Sequence, residues 1–129
     1  MNFTGQGKEP LIEQNGLLIN LEMLFDTCGS AAEIKEMLDI FYDQGQLAVQ
    51  KMEKAAGNRS SQDMAAAAHK IKSSLSIVQV QPLRDLAGEM EQEARKPSPD
   101  WDLLSGKLTA FRITFSQCMQ LLQTYAGSL

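Results

Sequence analysis

Ala65-Ala66-Ala67-Ala68-His69-Lys70-Ile71-Lys72-Ser73-Ser74-Leu75 holds the only histidine among 129 residues. Its apolar spacing decides the fold. Met64, Ala68, Ile71, Leu75 and Val78 recur at alternating intervals of four and three, as on a helix with one buried side. Ser60-Ser61-Gln62-Asp63 just before them has the form of a capping box, in which short polar side chains satisfy free N–H groups of the first turn. Pro82 cannot lie inside that helix without losing a hydrogen bond, so it belongs to the first turn of the next.

Working outward, the same spacing returns twice. Upstream, Ser30-Ala31-Ala32-Glu33 fits a second capping box. Ile34, Leu38, Phe41, Gly45, Ala48, Met52 and Ala55 then form one stripe over about seven turns, with Gly57-Asn58 as the stop. Ile40 and Leu47 fall off this stripe; they either pack a neighbouring helix or stand exposed for a partner. Downstream, Leu83, Leu86 and Met90 face inward, and Glu89, Glu91, Glu93 and Arg95 read as solvated. Pro97-Ser98-Pro99-Asp100 breaks the chain and caps a last long helix, striped by Leu104, Leu108, Phe111, Phe115, Cys118, Leu122 and Tyr125. Cys118 on that stripe reads as a small core residue rather than a reactive thiol. Before these helices, Leu17-Leu18-Ile19 enters a short one, with Asn20 as N-cap, Leu21, Leu24 and Phe25 on its apolar side and Gly29 at its end. Residues 1–16 read as a loosely ordered lead-in and 17–129 as one domain. The expected fold is all-α: an antiparallel four-helix bundle with a short additional N-terminal helix.

Composition narrows the function. Apolar residues make up 43% of the chain, charged residues 22% and aromatics 6%, an ordinary balance for a soluble helical domain. A formal charge of −4 argues against nucleic acid as the main partner, because phosphate-binding surfaces need an excess of Lys and Arg. No apolar run approaches the roughly 20 residues of a membrane span, so no direct membrane contact is expected. Cys28 and Cys118 make no metal or disulfide framework, which favours a reduced, cytoplasmic setting.

The histidine stands away from the core. At 100° per residue it falls about 140° from the centre of the stripe 64–78, near the outer pole of its helix. Ser73 and Ser76 share that outer face, Lys72 lies one turn on, and Ala65 and Ala66 lie one turn back. A metal site is disfavoured because di-metal bundles use Glu-x-x-His and Ala66 stands three before His69. A hydrolase triad lacks an orienting acid and a Gly-x-Ser-x-Gly elbow. Two readings stay open: a solvated histidine with no role, or an imidazole whose lone pair attacks phosphorus, with a lysine beside it for the resulting negative charge.

At His69-Lys70-Ile71-Lys72-Ser73-Ser74-Leu75 the chain resembles the histidine-containing phosphotransfer (HPt) family of two-component phosphorelays. That family's pattern is approximately His-x-Leu-Lys-Gly-Ser-Ser, followed by a Gly, a Leu and a closing Leu-Glu. Leu83 follows at the leucine position, Ala87 at a small-residue position, and Met90-Glu91 closes the pattern. Ala68, the Leu38–Phe41 segment and Asn20-Leu21-x-x-Leu24 extend the likeness over roughly residues 17–126. Ser73 stands where the family usually has Gly, Leu75 replaces a serine, and Gln79 stands where a second Gly is common. The resemblance implies that His69 is the phosphoacceptor, taking the group from an aspartyl phosphate of a response-regulator receiver domain and passing it to another. Lys72 would steady the phosphoryl oxygens and Ser73 would donate to them, while Ala65, Ala66, Lys70, Ser76 and Ile77 form a candidate docking surface. The chain would be a carrier and not an enzyme, having no ATP-binding loop or kinase signature. It would need no cofactor of its own, the Mg²⁺ belonging to the receiver, and would act as a monomer or in cis to a membrane-bound hybrid sensor histidine kinase. The alternative is a helical adaptor that binds a receiver without accepting phosphate.

Overall fold

The computed structural model describes residues 9–129. Five helices and three short strands run in the order β1 (Leu11–Gln14), β2 (Leu17–Asn20), α1 (Glu22–Thr27), α2 (Ala31–Asn58), α3 (Ser61–Ser74), β3 (Gln79–Val80), α4 (Gln81–Ala94) and α5 (Trp101–Gly127). The four long helices close a ring, α2 against α3, α3 against α4, α4 against α5 and α5 against α2. Their short connections make successive helices antiparallel. No helix among the described residues is long and apolar enough to cross a membrane.

The stripes read from the sequence are the core. Ile34, Leu38, Phe41, Gly45, Ala48, Met52 and Ala55 of α2 are buried, as are Leu104, Leu108, Phe111, Phe115, Cys118 and Leu122 of α5, with Tyr125 half-buried. Burial pushes the Cys118 thiol up to about 12, which leaves it an inert packing group. Gly45 has a steric reason to be glycine, since a Cβ there would overlap the Phe115 ring. That ring also packs against Phe41, Tyr42 and Phe111, so it has little room to retreat.

The caps hold with one change of partner. Ser30 accepts from the Glu33 N–H at 3.2 Å, but the Glu33 carboxylate reaches back to the N–H of Gly29, at 2.8 Å, rather than to that of Ser30. Ser60 accepts from Asp63 N–H and Asp100 from Leu103 N–H. Each such cap stabilises its helix by about 1 kcal/mol. Pro82 lies in the first turn of α4.

Three expectations change. The chain is not all-α at its start: residues 11–20 form an antiparallel hairpin, and β2 also pairs with β3. Asn15 and Gly16 have φ of 56° and 79°, the left-handed pair that a two-residue hairpin turn requires and that Asn-Gly favours. Leu17 and Ile19 turn inward and Leu18 outward, an alternation of strand and not of helix. Asn20 is therefore not the N-cap of α1; Leu21 is, although the Asn20 Oδ1 accepts from Glu22 N–H at 2.9 Å. The last residues of the expected lead-in are thus strand β1, and its first eight lie outside the described residues. Second, α2 runs through Gly57-Asn58 and stops at Arg59, a left-handed C-cap with φ 50°. Third, α3 ends at Ser74, although Leu75 and Val78 remain buried. The 100° rule therefore has no hold on Ser76 and Ile77.

Candidate functional site

His69 sits in the middle of α3 with its side chain 66% exposed, on the edge that α3 shares with α4. The helices approach closely here because the residues between them are small. Ala65 and Ala68 of α3 and Ala87 and Ala94 of α4 are all buried. On α4 the inward positions Leu83, Ala87, Met90 and Ala94 are joined by Glu91, one turn after Ala87. Its side chain is only 11% exposed, and it is aimed at the histidine.

Glu91 organises the cluster. Its Oε2 lies 3.0 Å from His69 Nδ1, and its Oε1 accepts from Lys72 Nζ at 3.1 Å. Arg95, the C-cap residue of α4 one turn further on, donates to the same Oε2 from Nη2 at 2.8 Å and from Nε at 3.2 Å. Burial alone would push this carboxyl up. The hydrogen bonds from Arg95 and Lys72, with the charges of Lys72 and His69, overcome that and hold it at about 2. Glu91 is therefore ionised at neutral pH and can only accept hydrogen bonds. An acceptor-only carboxylate requires a proton on Nδ1, which donates to Glu91; in the neutral ring the lone pair is then on Nε2.

The two acids read as solvated at this point are thus both buried. Glu91 holds the histidine. Glu93 ties down the α4–α5 connection, accepting from Lys96 Nζ at 2.8 Å and from the N–H of Asp100 at 2.9 Å. Those two hydrogen bonds lower its carboxyl pKa below the ordinary value. The orienting acid that seemed to be missing is present on the next helix.

The remaining candidates are distributed unequally. Lys72 is 44% exposed and meets the imidazole through Glu91. Ser73 is exposed one turn beyond the histidine, and its carbonyl accepts from the Ser76 hydroxyl at 2.6 Å. Ala66 and Lys70 are exposed, whereas Ala65 is buried at 6% exposure and lines a shallow surface depression with Ala66, Ala94 and Arg95. Ile77 does not stand on the outer face. The chain leaves the helix at Ser74 and turns it, half-buried, toward Met37, Ile40 and Phe41 of α2. On the α2 side of α3 runs a groove of about 230 Å³, with Leu47, Ala48, Ala67 and Ile71 among its lining residues and Lys51 and Lys70 at its edges. Leu47 and Ile40, which the stripe of α2 left over, stand exposed on this side.

A family model described as Hpt domain matches residues 36–125. Neither the comparison with curated proteins nor that with solved structures gives a match.

Proposed function

The chain belongs to the Hpt domain family, which implies histidine-containing phosphotransfer in two-component signalling, and from that premise we propose that His69 is the residue that carries the phosphoryl group. One observation carries this reading. The only histidine of the chain has a 66% exposed side chain, and Glu91 engages its Nδ1 and not its Nε2. The donor would be an aspartyl phosphate on a receiver domain. The Nε2 lone pair forms the new N–P bond as the P–O bond to the aspartate breaks, and the aspartate leaves with that electron pair. The ring becomes cationic while Nδ1 keeps its proton, and Glu91, already ionised, stabilises the developing charge without reorganising. Transfer to a second receiver reverses these steps. Lys72, held 3.1 Å from Glu91 Oε1 and partly exposed, is placed to turn toward the phosphoryl oxygens, and Ser73 offers a hydroxyl on the same side. Mg²⁺ would be supplied by the receiver.

Docking belongs to the α2–α3 side in this reading. The groove floor there is apolar, Leu47 is exposed, and Lys51, Lys54 and Lys70 line the neighbouring surface. A receiver surface with apolar residues flanked by carboxylates fits such a groove.

The test is to mix the protein with phosphorylated receivers encoded in the same genome and to measure both label and binding. The expected result is acid-labile, base-stable label that disappears in His69→Gln, a variant that keeps its fold because the side chain is exposed. Leu47→Asp should weaken receiver binding at least tenfold without altering the imidazole. Failure of every receiver to label the protein overturns the carrier reading. Binding that survives in His69→Gln, with no transfer to the unaltered protein, identifies an adaptor instead.

A further inference from the structure

One carboxylate oxygen is shared by two side chains. Glu91 Oε2 accepts the Nδ1–H of His69 at 3.0 Å and, from its other side, Nη2 and Nε of Arg95 at 2.8 and 3.2 Å. A carboxylate against an imidazole orients the ring, but it also favours the protonated ring, which has no lone pair and cannot attack phosphorus. A guanidinium on the same oxygen opposes that preference. We propose that Arg95 is a positioning residue for phosphoryl acceptance, holding Glu91 against His69 and offsetting its charge so that the ring is aligned without being kept protonated. This rests on the reading of His69 as the acceptor.

The arrangement is local and complete enough to argue from. Two nitrogens bound to one oxygen at these distances lie no more than about 6 Å apart, close enough for their charges to interact through a partly exposed surface. Lys72 of α3 adds a second positive charge on Oε1. The nearby Lys96 is taken by Glu93, and Lys107 of α5 by Glu89. Lys51 and Lys54 of α2, with Asp63 and Lys70 of α3, line the α2–α3 surface. Arg95 is thus the charge that faces Glu91 from its own helix, and at 60% exposure it contributes little packing that its loss would disturb.

Removing that charge should favour the imidazolium. Two unit charges about 6 Å apart, in surroundings between water and half its dielectric constant, shift a titration by about half to one pH unit. The experiment uses the single histidine, whose ring Cε1–H gives one carbon–proton resonance in a protein freed of any histidine tag. Its chemical shift is followed from pH 4.5 to 9 in the unaltered protein, in Arg95→Gln and in Arg95→Lys. In parallel, phosphoramidate serves as a small phosphoryl donor across the same range. The midpoint of the ring titration should rise by about half to one unit in Arg95→Gln and return to within about 0.2 unit in Arg95→Lys, which restores the charge. The acid limb of the acceptance profile should move with it. An unchanged midpoint in folded Arg95→Gln overturns the proposal, as does a rise that Arg95→Lys does not reverse. Because the resonance titrates with no transfer taking place, this outcome is independent of whether His69 accepts phosphate at all.

Discussion

Replacing Glu91 by glutamine removes one negative charge from beneath the imidazole and changes the side chain's volume very little. In the unaltered protein the carboxylate lies 3.0 Å from Nδ1. When the ring becomes cationic during transfer, a unit charge at that distance is worth about 1.4 kcal/mol in water-like surroundings, or about a tenfold change in rate. The imidazole is 66% exposed, so the water-like figure is the appropriate one and a loss of several hundredfold is not expected. Glu91→Gln should therefore accept phosphate about ten times more slowly. Stability should fall by about 1–2 kcal/mol, because Lys72 and Arg95 lose a charged acceptor but are themselves partly exposed, which lowers the melting temperature by about 3–7 °C. The assay is single-turnover transfer from a phosphorylated receiver, alongside thermal unfolding. A folded Glu91→Gln protein that accepts phosphate at the unaltered rate would remove Glu91 from the mechanism.

Two further outcomes follow from the same geometry. The Glu91 carboxyl is held at about 2 in the folded chain against an ordinary value of 4.5. On acidification the unfolded chain takes up this proton first, so the contribution is full above pH 4.5 and disappears as pH falls toward 2. Denaturant titrations at pH 6, 4 and 3 should show the stability gap between the unaltered protein and Glu91→Gln narrowing; a constant gap would mean that charge is not its source. Gly45→Ala gains about 1 kcal/mol of helix propensity but drives a methyl group into Phe115, at a typical overpacking cost of about 1–3 kcal/mol or more with the ring enclosed by three others. Urea unfolding should show net destabilisation, relieved by Phe115→Leu; a stabilised Gly45→Ala would contradict the packing described.

Four places show what the sequence carries and what it does not. The helices were legible because their stripes repeat over many turns, and the exposed His69 followed from the angle between it and the α3 stripe. The hairpin was hidden by brevity. Its strands are four residues each, and the hydrophobic triplet 17–19 suits a helix as well as a strand until Asn15-Gly16 is given the weight that its left-handed geometry warrants. The acid was missed for a different reason. Glu91 occupies an inward position of α4, one turn from Ala87, but a carboxylate there reads as solvated until its hydrogen-bond donors are counted. Two of these, His69 and Lys72, are on another helix, and only the packing of α3 against α4 brings them to it. Ile77 failed because a helical angle was extended past the end of the helix at Ser74.

The pairing of β2 with β3 has a consequence for where this protein can be cut. The family match begins at residue 36, yet Ile19 pairs with Val80 inside the matched region, and Ile19, Leu21 and Leu24 are each fully buried in the common core. A fragment trimmed to the matched boundaries would leave the link between α3 and α4 with an open strand edge and would uncover the apolar end of the bundle. The hairpin 11–20 therefore belongs to the same packed unit as the four long helices, although it lies outside the matched residues.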